Sequence, residues 1–137
     1  MDRPDDRRSR RSEDPITALH YQLAHARHDA ALEAMVLVDA SGALVAGAGA
    51  WPVCEELAAF APLLARQGDV GSDHLRAATD VLRESVALRS MSVDGYEVFL
   101  AAKGAQGAAV DASMVRAAAG CLRILRVAAL GPFDRGP

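Results

Sequence analysis

The sequence predicts an α+β domain, an antiparallel sheet of four to five strands flanked by helices, in the order α-β-β-α-(α)-β-β-α. Three observations carry this reading. Apolar runs return on themselves through turn chemistry twice, across Met35–Gly49 and Ser85–Lys103. Each pair is followed by an Ala- and Leu-rich stretch of helical periodicity, and a third such stretch leads the chain. A chain of 137 residues holds one domain, and runs of paired strands separated by helices make a layered α+β arrangement.

Residues 1–13 are dense in charge and lack apolar residues beyond Met1, so they are expected to be a disordered tail. The domain is expected over 14–131. Asp14-Pro15 starts the first helix, with Asp as cap and Pro at the first helical position. Ile16, Leu19, Leu23, Ala26, Ala30 and Ala34 follow at helical spacing. Met35–Asp39 is apolar on both parities, which suits a central strand covered on both sides. Asp39-Ala40-Ser41-Gly42 supplies a turn, and Ala43–Gly49 returns as the neighbouring strand.

Pro52 opens the second helix, and Val53, Leu57, Phe60, Ala61 and Leu64 form its stripe. Pro62 is expected to kink it near Ala58, and Gly68 to end it. Trp51 reads either as a staple of the helix entry or as an exposed interface anchor. Over 69–83, Ser72 could cap a short helix through Leu75, Ala78 and Leu82, or the span could be a loop. Val86 and Leu88 have one parity and Met91 and Val93 the other, so a bulge is expected in the third strand. Asp94-Gly95 signals a hairpin into Tyr96–Lys103. Asp111 is expected to cap the last helix, which Gly131-Pro132 ends at Leu130, leaving 132–137 loose.

Composition excludes several classes. Hydrophobic residues are 51% of the chain but aromatics only 4%, so the core is built from Ala, Leu and Val, and self-association would add burial. The net charge of −3 divides into +2 over residues 1–12 (five Arg, three Asp) and −5 over the rest (ten basic, fifteen acidic). A short Arg run diluted by Asp2, Asp5 and Asp6 reads as a solubilising tail, so nucleic-acid binding is not expected. No apolar run is long enough to insert in a membrane, and the N-terminus has no apolar signal core. Cys54 and Cys121 are not spaced as a metal or redox motif, which fits a reducing, cytoplasmic setting.

No catalytic set emerges. His25 and His28 could share a helix face, but solvent-facing histidines are the better reading, and no metal is expected. The run Gly47-Ala48-Gly49-Ala50 lacks the spacing of a phosphate loop, and Asp39 is a turn former with no paired acid or base. Ser72, Asp73 and His74 are adjacent in sequence, which is not a triad. No cofactor is expected.

The stretch LEAMVLVDASGALVAGAG followed by EELAAFAPLLA resembles the Roadblock (dynein light-chain type) family over roughly residues 16–126. SMSVDGYEVFLAAKG followed by a helix resembles the closing hairpin and helix of a GAF domain, in a shortened form. The first resemblance implies a non-enzymatic bacterial regulatory or scaffold module that forms a homodimer and binds a protein partner, such as a small Ras-like GTPase. Its interface is expected on the first helix and the second hairpin, with Leu19, Leu23, Ala26, Ala43, Val45 and Trp51 as candidates. The second implies a small-molecule sensor with a pocket lined by Trp51, Phe60, Tyr96 and Phe99.

Overall fold

The computed structural model describes residues 14–66, 77, 80, 81, 83–104 and 107–134, the last six of these by backbone alone. Its elements are α1 (Pro15–Asp29), β1 (Ala34–Asp39), β2 (Leu44–Gly49), α2 (Trp51–Ala65), β3 (Val86–Val93), β4 (Tyr96–Lys103) and α3 (Ala108–Asp134). The sheet is four-stranded and antiparallel throughout, in the order β2-β1-β4-β3. The α+β class and the element order are those the sequence predicts. Of residues 69–83, Ala77, Asp80, Val81 and Arg83 are helical, and Ser72, Leu75, Ala78 and Leu82 lie outside the described residues.

The two parities of the central strands serve two cores. Met35 and Leu37 of β1, with Val98, Leu100 and Ala102 of β4, meet α1 and α3 on one face. Ala34, Val36 and Val38, with Phe99 and Ala101, meet α2 on the other. This two-sided cover also explains β3. Val86 and Leu88 pack toward α2, whereas Met91 and Val93 pack toward α3, and the pairing with β4 runs without a break from Val86 to Val93. The expected bulge in β3 is therefore absent. A register shift occurs instead between Leu37 and Val38, where β1 meets β2.

α1 is shorter than its apolar spacing predicts. Asp14 caps it by accepting from the Thr17 amide at 3.1 Å. At the other end Ala31 takes a left-handed conformation (φ 53°), the Ala31 amide donates to the His28 carbonyl and the Leu32 amide to the Arg27 carbonyl. This is a Schellman cap with alanine where glycine is usual. Leu32 then turns inward, and Ala34 opens β1 rather than continuing the helix stripe.

Leu19, Leu23 and Ala26 are expected on an interface, and the structure overturns that placement. They are 0%, 0% and 5% exposed, because α1 lies between the sheet and α3 and its apolar stripe is consumed within one chain. Gly120 permits the approach of α3: a Cβ there would fall 2.4 Å from the Gln22 amide. Gly107 precedes α3 and Asp111 sits in its first turn, so Asp111 favours the helix dipole rather than forming the cap. The helix continues through Gly131 and Pro132 to Asp134, past its expected end.

Leu23→Ala is expected to lower unfolding free energy by about 2–5 kcal/mol in urea titration, the cost of a cavity in a closed core. Ala31→Gly is expected to raise it by about 0.5–1 kcal/mol, because glycine relieves the left-handed strain and alanine's entropic advantage offsets only part of it. Gly49→Ala is expected to destabilise by about 2–4 kcal/mol, since φ is +115° and the new Cβ would lie 2.5 Å from the Glu33 carbonyl oxygen.

Candidate functional site

The sequence candidates do not form one site. Trp51 is the first residue of α2 and 52% exposed, so it does not precede the helix as a staple residue would. Ala43 is exposed and Val45 half-buried against the α1-side core. The sensor pocket was expected between the sheet and residues 69–83, most of which lie outside the described residues. Phe99 is buried and Phe60 packs into the same α2-side core, while Tyr96 stands 76% exposed beside the hairpin turn. None of these four lines either of the two clefts below.

The first cleft, about 310 Å³, lies where the end of α2 passes β3, and is lined by Leu64, Ala65, Arg83, Val86, Leu88 and Ser90. Among the described residues β3 is an edge strand, paired only by β4. Its open ladder invites a further strand. α2 adds apolar surface to this region. Only Glu55 and Glu56 of its fifteen residues are charged, and Val53, Phe60, Pro62 and Leu63 stay half-exposed on a helix already seated on the sheet. Glu56 is in ion-pair contact with Lys103 at 3.5 Å.

The second cleft, about 370 Å³, lies between α1 and the other edge strand, β2, and is lined by Thr17, His20, Tyr21, Ala24, Arg27 and Gly47–Gly49. His20 Nδ1 is 2.8 Å from the Gly47 carbonyl oxygen and 3.3 Å from the Gly47 amide nitrogen, so the imidazole shields the outer side of β2 at its middle. Arg27 Nε donates to the Glu33 carbonyl at 3.1 Å. The edge strand can sit this close because Gly47 has no side chain: a Cβ would meet Cys54 Sγ and Val36 at 3.3 Å.

The groups that could do chemistry are spent on structure. Asp39 Oδ1 accepts from the Ser41 amide at 2.9 Å, the Ser41 hydroxyl at 2.6 Å and the Ala43 amide at 3.0 Å. The Ser41 hydroxyl, followed by backbone amides, holds the Asp39 carboxyl below its ordinary value. It is a turn carboxylate, as expected. Burial pushes the Cys54 thiol up, with Arg27 opposing, and pushes Cys121 up to about 11. Both thiols thus stay protonated near neutrality and are poor nucleophiles. Among the described residues no three His, Cys, Asp or Glu side chains gather as a metal site, and no helix is long and apolar enough to cross a membrane. Ser72, Asp73 and His74 lie outside the described residues.

This arrangement of helices and strands is similar to a solved one. Myxococcus xanthus MglB superposes with a TM-score of 0.53, at 17% sequence identity, over 80% of this chain and 89% of that chain. The likeness supports a Roadblock-like fold. At this identity it is a likeness of fold alone. No family model matches the sequence, and no curated protein does.

Asp39→Asn is expected to destabilise the domain by about 1 kcal/mol at pH 7, the worth of hydrogen bonds to a charged turn residue that is largely solvated. The pH dependence fixes the sign. A carboxyl whose folded pKa is depressed stabilises above its unfolded value, and that contribution is lost as pH falls through the folded one. Urea titrations at pH 7, 4 and 3 should show the gap between the parent and Asp39→Asn constant to about pH 5 and closing below about 4.

Proposed function

We propose that this chain is a non-enzymatic regulatory or scaffold module that works as a homodimer and binds a protein partner. The reading rests on the Roadblock-like fold together with the surface left uncovered among the described residues, the apolar outer side of α2 beside the edge of β3. Two copies related by a two-fold axis would set β3 against β3 and α2 against α2, which makes one continuous sheet and covers Phe60 and Leu63. The second hairpin thus keeps the interface role that the sequence reading gave it, and α2 takes the place of the first helix. Ala43 and Trp51, exposed at the ends of β2, are free to meet a different protein.

The partner class follows from the Roadblock resemblance of the sequence, which implies a small Ras-like GTPase. Acidic residues outnumber lysine and arginine, 18 to 15, so a protein surface suits this domain better than a nucleic acid. The buried, protonated cysteines and the turn-bound Asp39 agree with binding rather than catalysis.

Light scattering over a dilution series tests the dimer. The parent is expected to stay dimeric to low micromolar concentration. Leu63→Glu, on the half-exposed side of α2, should give a folded monomer, whereas Tyr21→Glu on α1 should leave the dimer intact. A parent that is monomeric at all concentrations sinks the homodimer. Calorimetric titration with Ras-like GTPases loaded with GDP or a non-hydrolysable GTP analogue tests the partner class, with Trp51→Ala expected to weaken binding about tenfold or more.

A further inference from the structure

We propose that the cleft between α1 and β2 is a binding site for a small apolar carboxylate, with Arg27 as the group that takes the anion. The site lies on the opposite face and the opposite edge of the sheet from the surface assigned to the dimer, so it stands independently of that reading.

The cleft is shallow and open, and at about 370 Å³ it is of the size that takes a small molecule. The backbone of Gly47, Ala48 and Gly49 forms one wall and Ala24 and the Tyr21 ring line the other, so the walls are mostly apolar and short, and a ligand can approach the chain closely. His20 ties α1 to Gly47 and sets the distance between the walls. It is a positioning residue in this site.

Its charge selects the ligand. Arg27 is half-buried, and among the described residues it has no carboxylate partner. Its one hydrogen bond uses Nε on the Glu33 carbonyl, which fixes the guanidinium plane and leaves both terminal nitrogens with their donors. A carboxylate matches that pair of nitrogens in geometry and in charge, one anion to one cation. A phosphate dianion would bring twice the charge into a cleft whose remaining walls offer few donors. The apolar walls then suit a hydrocarbon or aromatic body attached to the carboxylate.

The test is an amide-resolved NMR titration of the full chain with phenylacetate, its neutral counterpart phenylacetamide, and inorganic phosphate. Phenylacetate is expected to shift Gly47, Ala48 and Gly49 saturably, with a Kd of about 1 mM, as befits an open site. Phenylacetamide should bind at least about tenfold more weakly, and Arg27→Gln should weaken phenylacetate by a similar factor, the loss of a charge-assisted pair. Because Arg27 also closes the turn into β1, Ala24→Glu serves as a second variant. It is exposed, keeps Arg27, and should abolish binding by placing a carboxylate in the cleft. Arg123→Gln, exposed on α3, should change nothing. The proposal is overturned if no saturable shift appears at Gly47–Gly49, if the amide binds as well as the acid, if phosphate binds more tightly than phenylacetate, or if folded Ala24→Glu binds like the parent.

Discussion

Burial of the sheet on both faces is the constraint on which the rest of this structure depends. β1 has no wet side: Ala34, Val36 and Val38 face one helix layer, and Met35 and Leu37 face the other. At ~25 cal/mol per Å² of apolar surface, a strand apolar on both parities is tolerable only when a helix covers each face. That requirement assigns α2 to one layer and α1 with α3 to the other. It also determines that the chain must cross from one layer to the other after β2 and return after β4.

The core is made of small side chains, and close approach substitutes for bulk. Gly47 lets β2 lie against Cys54, Gly120 lets α3 lie against Gln22, and Gly42 holds the first turn against the carbonyl of Ala58 and the ring of Pro62. Pro62 leaves the Ala58 carbonyl without its helical donor, so the proline and the turn form one packed corner. Ser113, buried within the helix pair, donates to the Ala26 carbonyl at 3.2 Å and fixes the same close contact from the α3 side. Such a core is well specified but buries little area per residue, which makes a second copy an economical source of further burial.

The two edges of the sheet have different fates, and function follows from that difference. β2 is shielded by an imidazole and flanked by a cleft with one unspent guanidinium. Among the described residues β3 is paired only by β4, and it stands beside a helix whose outer side is apolar. The proposed small-molecule site lies at one edge and the proposed dimer seam at the other. The functional groups that often mark catalysis, the thiols and the turn carboxylate, are engaged in packing and turn geometry.

The sequence by itself determined the local elements: the Asp14 cap with Pro15, the Asp39–Gly42 turn, the Asp94-Gly95 hairpin with both residues at positive φ, and the two-sided strand β1. These are set by contacts a few residues apart, so residue type and spacing suffice to read them. The end of α1 was hidden because alanine, not glycine, takes the left-handed position at residue 31. The opposite parities in β3 were misread as a bulge because a strand facing two cores and a strand with an extra residue look alike in one dimension. The roles of Leu19 and Leu23 and of the cleft around Arg27 belonged to the tertiary structure alone. An apolar stripe says that a face will be buried, but only the packing of α3 on α1 decides that it is buried within one chain. Arg27 and Gly47 line one cleft from either side of a strand and a turn, where sequence spacing carries no information about distance.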